Sequence, residues 1–224
     1  MTLKTPTRTR KKKPQRRKRT SDNTKSKASR GVADAEKSAM RTLLMNAADE
    51  LMRAEGYGAV TFRKVASKAG IIRQLIYYYF RTLDDLFLAL WQRYSNKIFI
   101  RQAQALGSRQ PLRAMWEYFI QVPDTSLSLE FWALANHRET IKKEIADTGE
   151  QFHRLQTRVF ARLLDNYGLG KIIDSPDLLT FIMSALSRCL ISENRLGVSR
   201  GHAELHAFVE RWLNQIEGPS LSRK

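Results

Sequence analysis

Between positions 73 and 78 the chain places Arg73, Gln74, Tyr77 and Tyr78, four side chains able to read or grip nucleic acid. An arginine guanidinium bonds guanine N7 and O6, and a glutamine amide bonds adenine. Tyrosine hydroxyls reach phosphate oxygens, and their rings lie against thymine methyls. Helical spacing puts Ile76 and Phe80 on the other face of the same helix. Other chemistry is sparse. There is no glycine-rich phosphate loop, no nucleophile elbow and no CxxC pair. His202 and His206 lie four apart with Glu204 between them. Zinc hydrolases place the glutamate directly after the first histidine, so this segment reads as a solvated helix end. No catalytic residue, metal ligand or cofactor is expected. One cysteine, Cys189, excludes an internal disulfide. It reads as a small core residue in a reducing cytoplasm.

The elements that must position this chemistry run from Thr61 to Phe80. Phe62, Val65, Ala66 and Ala69 repeat at helical spacing behind Thr61, an N-cap. Gly70 tolerates positive φ and ends that helix, Ile71 plugs the core, and a second helix runs from Arg73 to Phe80. Two short helices with this turn form a helix-turn-helix, whose second helix enters the major groove. A preceding helix spans Asp34 to Ala54, with Leu44, Ala47, Ala48, Leu51 and Met52 as its apolar stripe. Thr82 caps a fourth helix with Asp84 and Asp85 in its first turn, running to about Ala105. Further helices are expected over Pro111–Gln121, over Ser126–His137 after an interruption at Pro123, and over Glu139–Tyr167, as one helix or as two kinked at Gly149. Pro176–Leu196 and His202–Glu217 complete the chain. Nothing reads as a strand, so the fold class is all-α.

The ordered set Gly56-Tyr57, Val60-Thr61, Val65-Ala66, Ala69-Gly70-Ile71, Ile76-Tyr77, Tyr79-Phe80 and Asp84-Asp85-Leu86 resembles the DNA-binding domain of the TetR family of bacterial transcriptional regulators. The likeness covers about Leu43 to Leu86, a fifth of the chain, and continues only in outline. It implies about nine helices: a three-helix DNA-binding domain over 33–82, then a ligand-binding and dimerisation domain over 83–217, with a flexible C-terminus at 218–224. It assigns base or near-base contacts to Arg63, Arg73, Gln74, Leu75, Tyr77 and Tyr78, and phosphate contacts to Thr61, Tyr77 and Tyr79. Part of the Tyr79 ring serves equally well as core. Two positions depart from the family pattern. Ile72 stands where a Ser or Thr usually caps the third helix, and Leu83 where a lysine often grips phosphate, a task left to Arg81.

The resemblance further implies a homodimer formed through the last two helices. Two recognition helices would then meet a palindromic operator in double-stranded DNA about 34 Å apart. It also implies a small-molecule effector enclosed by helices four to eight, which releases the DNA. Trp91, Tyr94, Trp116, Phe119, Phe131 and Trp132, with His137, are candidates for the pocket wall; the alternative for each is core packing.

Net charge is unevenly spread. Residues 1–30 hold 13 of the 39 Lys and Arg and a single acid, Asp22, leaving 26 basic and 21 acidic residues elsewhere. Residues 1–32 read as a disordered basic tail, either merely solvated or adding phosphate contacts. The start has no apolar segment after its charges, so it does not read as a secretory signal. No apolar run reaches the roughly 18 residues of a membrane span. A cytoplasmic regulator is the reading. A nonspecific architectural DNA-binding protein using the tail is the alternative, and an enzyme on a helical scaffold a weaker one.

Overall fold

The computed structural model describes the backbone of residues 19–120, 122–171 and 173–221, and the side chains of 34–120, 127–170 and 173–221. The chain divides into two compact units, residues 1–43 and 44–224. Among the described residues there are nine α-helices and no strand. They are α1 (Arg19–Glu55), α2 (Phe62–Ala69), α3 (Arg73–Tyr79), α4 (Leu83–Leu106), α5 (Pro111–Phe119), α6 (Val122–Ala135), α7 (Glu139–Asn166), α8 (Pro176–Leu196) and α9 (His202–Glu217).

Two boundaries differ from those expected. Helix α1 begins at Arg19, so the backbone of 19–32 is helical where the sequence reads as disordered tail. That stretch contains no proline and several good helix formers. The remainder of the tail reading, residues 1–18, lies outside the described residues. Pro123 does not interrupt the chain but sits in the first turn of α6. A proline is tolerated there, because first-turn N–H groups have no intrahelical acceptor. Helix α7 is a single element through Gly149.

Local signals set the remaining ends. Thr61 Oγ1 accepts the Lys64 N–H at 3.2 Å to start α2. Thr82 and Asp85 form a capping box on α4. Gly70 closes α2 in the left-handed region, φ 68°, and the Ile71 N–H returns to Ala66 O at 3.0 Å. This tight reversal turns α3 away from α2, and a residue with a Cβ would be strained there.

Within residues 44–224 two apolar clusters form. The first joins Leu44, Met52, Val65, Ile76 and Phe80 to Leu86, Phe87 and Leu90 of α4, and onward to Phe131 and Ile141. The second lies among α5, α7, α8 and α9, around Leu112, Met115, Trp116, Phe160 and Leu213. The C-terminus is tied to it. Glu217 accepts the Leu112 and Arg113 N–H groups at 2.9 and 3.0 Å, supplying the first turn of α5 with acceptors. Gln110 donates to Pro219 O at 2.9 Å and accepts the Leu221 N–H at 3.0 Å. Residues 218–221 are therefore pinned rather than flexible; 222–224 lie outside the described residues.

Candidate nucleic-acid interface and effector cavity

Helix α3 is short, and what fixes it is its back. Ile76 and Phe80 are fully buried against α1, α2 and α4. Fixing that face turns Arg73, Gln74, Tyr77 and Tyr78 outward, and all four are exposed, Tyr78 to 68%. The Arg73 guanidinium donates to the Tyr77 hydroxyl at 3.1 Å and lies 5.9 Å from that ring's centroid. Tyr77 also meets the buried Phe62 edge-on at 5.1 Å. Arg73 and Tyr77 thus form a braced pair, which lowers the entropy lost on ordering them against a ligand.

The other candidates divide. Arg63 on α2 and Arg81 after α3 are exposed. Thr61 is exposed but its hydroxyl already caps α2. Leu75 is partly buried. Tyr79 is half-buried and packs on the first core, with Tyr78 set edge-on to it at 5.1 Å. Leu83 is also packed on that core, so an aliphatic side chain there has a structural use. Ile72 forms no side-chain cap for α3 and stands 70% exposed beside Arg73. Its signal in the sequence was an isoleucine where a cap belongs.

Helices α4 to α8 line a cavity of about 250 Å³. Of the aromatic candidates, Trp91, Tyr94, Phe119 and Trp132 line it. Three do not. Phe131 is fully buried behind the wall, packed on Trp91 at 5.1 Å and Tyr94 at 6.2 Å. Trp116 belongs to the second core and borders an apolar groove among α5, α8 and α9. His137 is exposed and stacks near Tyr57 at 6.3 Å.

Polar groups of the cavity escaped the sequence reading, because they belong to helix faces whose neighbours are far away in the chain. They include Gln102 on α4, Tyr118 on α5, His153 and Gln156 on α7, and Ser184, Ser187 and Arg188 on α8. The available clue was a charged residue, Arg188, within an apolar helix. Burial pushes the Tyr94 and Tyr118 phenols up from their usual range, so both stay protonated donors. Trp91 Nε1 donates to Thr148 Oγ1 at 3.0 Å, tying α4 to α7 beside the cavity.

The remaining chemistry is accounted for locally. His202 pairs with Glu193 at 2.6 Å, and His206 meets the Trp116 ring edge-on at 6.0 Å. Cys189 is exposed, not core, because the inner stripe of α8 is Thr180, Met183, Ser187, Leu190 and Ile191. No helix among the described residues is long and apolar enough to cross a membrane.

Residues 44–90 match the family described as "Bacterial regulatory proteins, tetR family". No curated protein matches the chain. Among solved structures, a transcriptional regulator from Saccharomonospora viridis in complex with choline is 22% identical. It covers 77% of this chain and 96% of its own, with a TM-score of 0.64. A transcriptional regulator from Rhodococcus sp. Rha1 is 18% identical over 80% of this chain and 94% of its own, TM-score 0.57. A regulator of the TetR/AcrR family is 14% identical over 79% of this chain and 99% of its own, TM-score 0.66. The family match thus falls on α1 to α4, and the fold is shared along most of the chain with these solved structures.

Proposed function

We propose that this chain is a cytoplasmic, homodimeric repressor that binds a palindromic operator through α3 and releases it when a small molecule enters the cavity. The observation that carries the reading is the two-sided character of α3: Ile76 and Phe80 fully buried, Arg73, Gln74, Tyr77 and Tyr78 exposed. In this reading residues 33–82 read DNA, and 83–217 bind the effector and the second subunit. Arg73 and Gln74 take base edges, Ile72 supplies an apolar contact for a thymine methyl, and Tyr77 and Tyr78 take phosphates or methyls. Arg63 reaches base edges from α2, and Arg81 and Tyr79 hold the backbone.

Dimerisation is supported by apolar surface on the last two helices. Phe181 is 60% exposed and Phe208 59%, with Leu178 and Ile182 beside Phe181 on one face of α8. Such a patch on a single chain is a candidate for burial against a second copy. Effector binding is supported by the cavity among α4 to α8 and by the choline-bound protein of the same fold.

Selection of sites from random DNA, followed by footprinting, tests this reading. A protected palindrome is expected, with protection lost in Tyr78→Ala. Uniform binding to any sequence would point instead to an architectural protein.

A further inference from the structure

The cavity is chemically biased. Its wall holds one guanidinium, Arg188, and no aspartate or glutamate among the described residues. The Arg188 guanidinium lies 5.5 Å from the Trp132 ring centroid, half-buried, and no described carboxylate pairs with it. Burial lowers its proton affinity, the mark of a cation short of solvent. The other basic group on the wall, His153, is directed to Asp177 at 3.2 Å.

A second group points the same way. Gln102 is 3% exposed and lines the cavity, and its Oε1 has no hydrogen-bond partner. Its side chain shares a hydrogen bond with the Tyr118 hydroxyl, which leaves the oxygen as a buried acceptor awaiting a donor. Buried polar atoms without partners are rare in folded proteins, and a ligand donor would relieve this one. The same wall carries the aromatic side chains of Trp91, Phe119 and Phe152.

We propose that the effector is a small carboxylate with an aromatic body and a hydroxyl donor: the carboxylate lies on Arg188, the ring against Trp91 and Phe119, and the hydroxyl on Gln102 Oε1. This rests on the effector reading above and narrows it. A quaternary ammonium of the choline type is the wrong charge here, because a guanidinium already covers the Trp132 face and no carboxylate among the described lining residues waits for the cation.

The test uses the full chain and three matched sets of probes. The first is 4-hydroxybenzoate, 4-hydroxyphenylacetate and 3-(4-hydroxyphenyl)propionate. The second is the amides of these acids, and the third is choline. Binding is read from quenching of tryptophan fluorescence, since Trp91 and Trp132 lie on the wall. At least one acid is expected to bind tenfold or more tighter than its amide, as a charge-assisted contact implies. Arg188→Gln should erase that preference and Arg188→Lys should keep most of it. With benzoate, phenylacetate and 3-phenylpropionate as the deoxy controls, Gln102→Leu should erase only the preference for each hydroxylated acid over its control.

Gly149 supplies a variant that locates the site. It lines the cavity, and a Cβ built on it meets nothing within 4 Å, so Gly149→Leu should fill space and abolish binding while the fold stands. Amides or choline binding as tightly as the acids, or a preference that survives Arg188→Gln, overturns the carboxylate assignment alone. Binding by none of the three sets overturns the effector reading together with it.

Discussion

The Tyr57 backbone N–H donates to Glu130 Oε2 at 3.0 Å, joining α6 to the turn that leads into α2. Ser128 and Trp132, two residues to either side of Glu130, line the cavity. Residues two apart on a helix face nearly opposite ways, so α6 shows one face to the cavity and the other to the turn between α1 and α2. The space around this bond is close: a Cβ built on Gly56 would lie 3.3 Å from the same carboxylate oxygen. Helix α4 has links of its own. Arg93 donates to Asn46 Oδ1 of α1 at 2.7 Å, and Arg138, at the start of α7, pairs with Asp84 in the first turn of α4.

Glu130→Ala should weaken the communication between the two sites more than it weakens either site alone. The loss expected is about 0.5–2 kcal/mol of coupling. It is measured as the difference in operator affinity with and without a saturating aryl carboxylate, in variant and wild type. An unchanged difference removes α6 from the route.

Tyr78→Ala and Ile76→Ala separate the two faces of α3. Tyr78 is exposed, so its loss should leave the melting temperature in place and reduce operator affinity, by about 1–3 kcal/mol if it touches a base or phosphate. Ile76 is fully buried, so its truncation should cost about 2–5 kcal/mol of stability. Thermal melts and gel shifts on both variants check the pair. Wild-type operator affinity in Tyr78→Ala would mean that another helix reads the DNA.

The Phe181 patch makes a prediction about assembly. Phe181→Glu should shift the chain from dimer to monomer in sedimentation equilibrium while its helical circular dichroism persists, since the side chain is 60% exposed in the single chain. Operator binding should fall with it, because one recognition helix reads only one half-site.

At the other end of the molecule, the Tyr167 hydroxyl donates to Glu217 Oε1 at 3.0 Å. Burial first, then this carboxylate, pushes the phenol up to about 12. A raised pKa means the fold favours the protonated form. Its contribution is complete below the ordinary tyrosine range near pH 10 and is lost as pH rises toward 12. Tyr167→Phe should therefore cost about 1 kcal/mol at pH 8, modest because the site stays partly wet. The gap from wild type should narrow above pH 10 in urea unfolding at matched ionic strength. A gap that is constant with pH would leave the hydroxyl without this role.

Much of α2 and α3 was legible because short helices with caps are governed by neighbours in sequence. Thr61, Gly70 and the Ile76/Phe80 pair each act within a few residues of where they stand. The cavity was not legible in this way. An apolar period shows that a residue turns inward, but not whether it meets a neighbour or an opening. Phe131 turns inward and is sealed, while Trp132, the next residue, borders open space. Cys189 fails for the same reason: an apolar neighbourhood in sequence is not a neighbourhood in space. The start of α1 and the role of Pro123 escaped because neither boundary is set by a strong stop signal.

The first apolar cluster runs without a gap from Leu44 through Phe80 into Leu86, Phe87 and Leu90. The segment proposed to recognise DNA therefore has no floor of its own. A graft that transplants it onto a foreign sensor must carry the opening turns of α4 as well, and a cut made after Arg81 should yield a fragment that does not hold its shape.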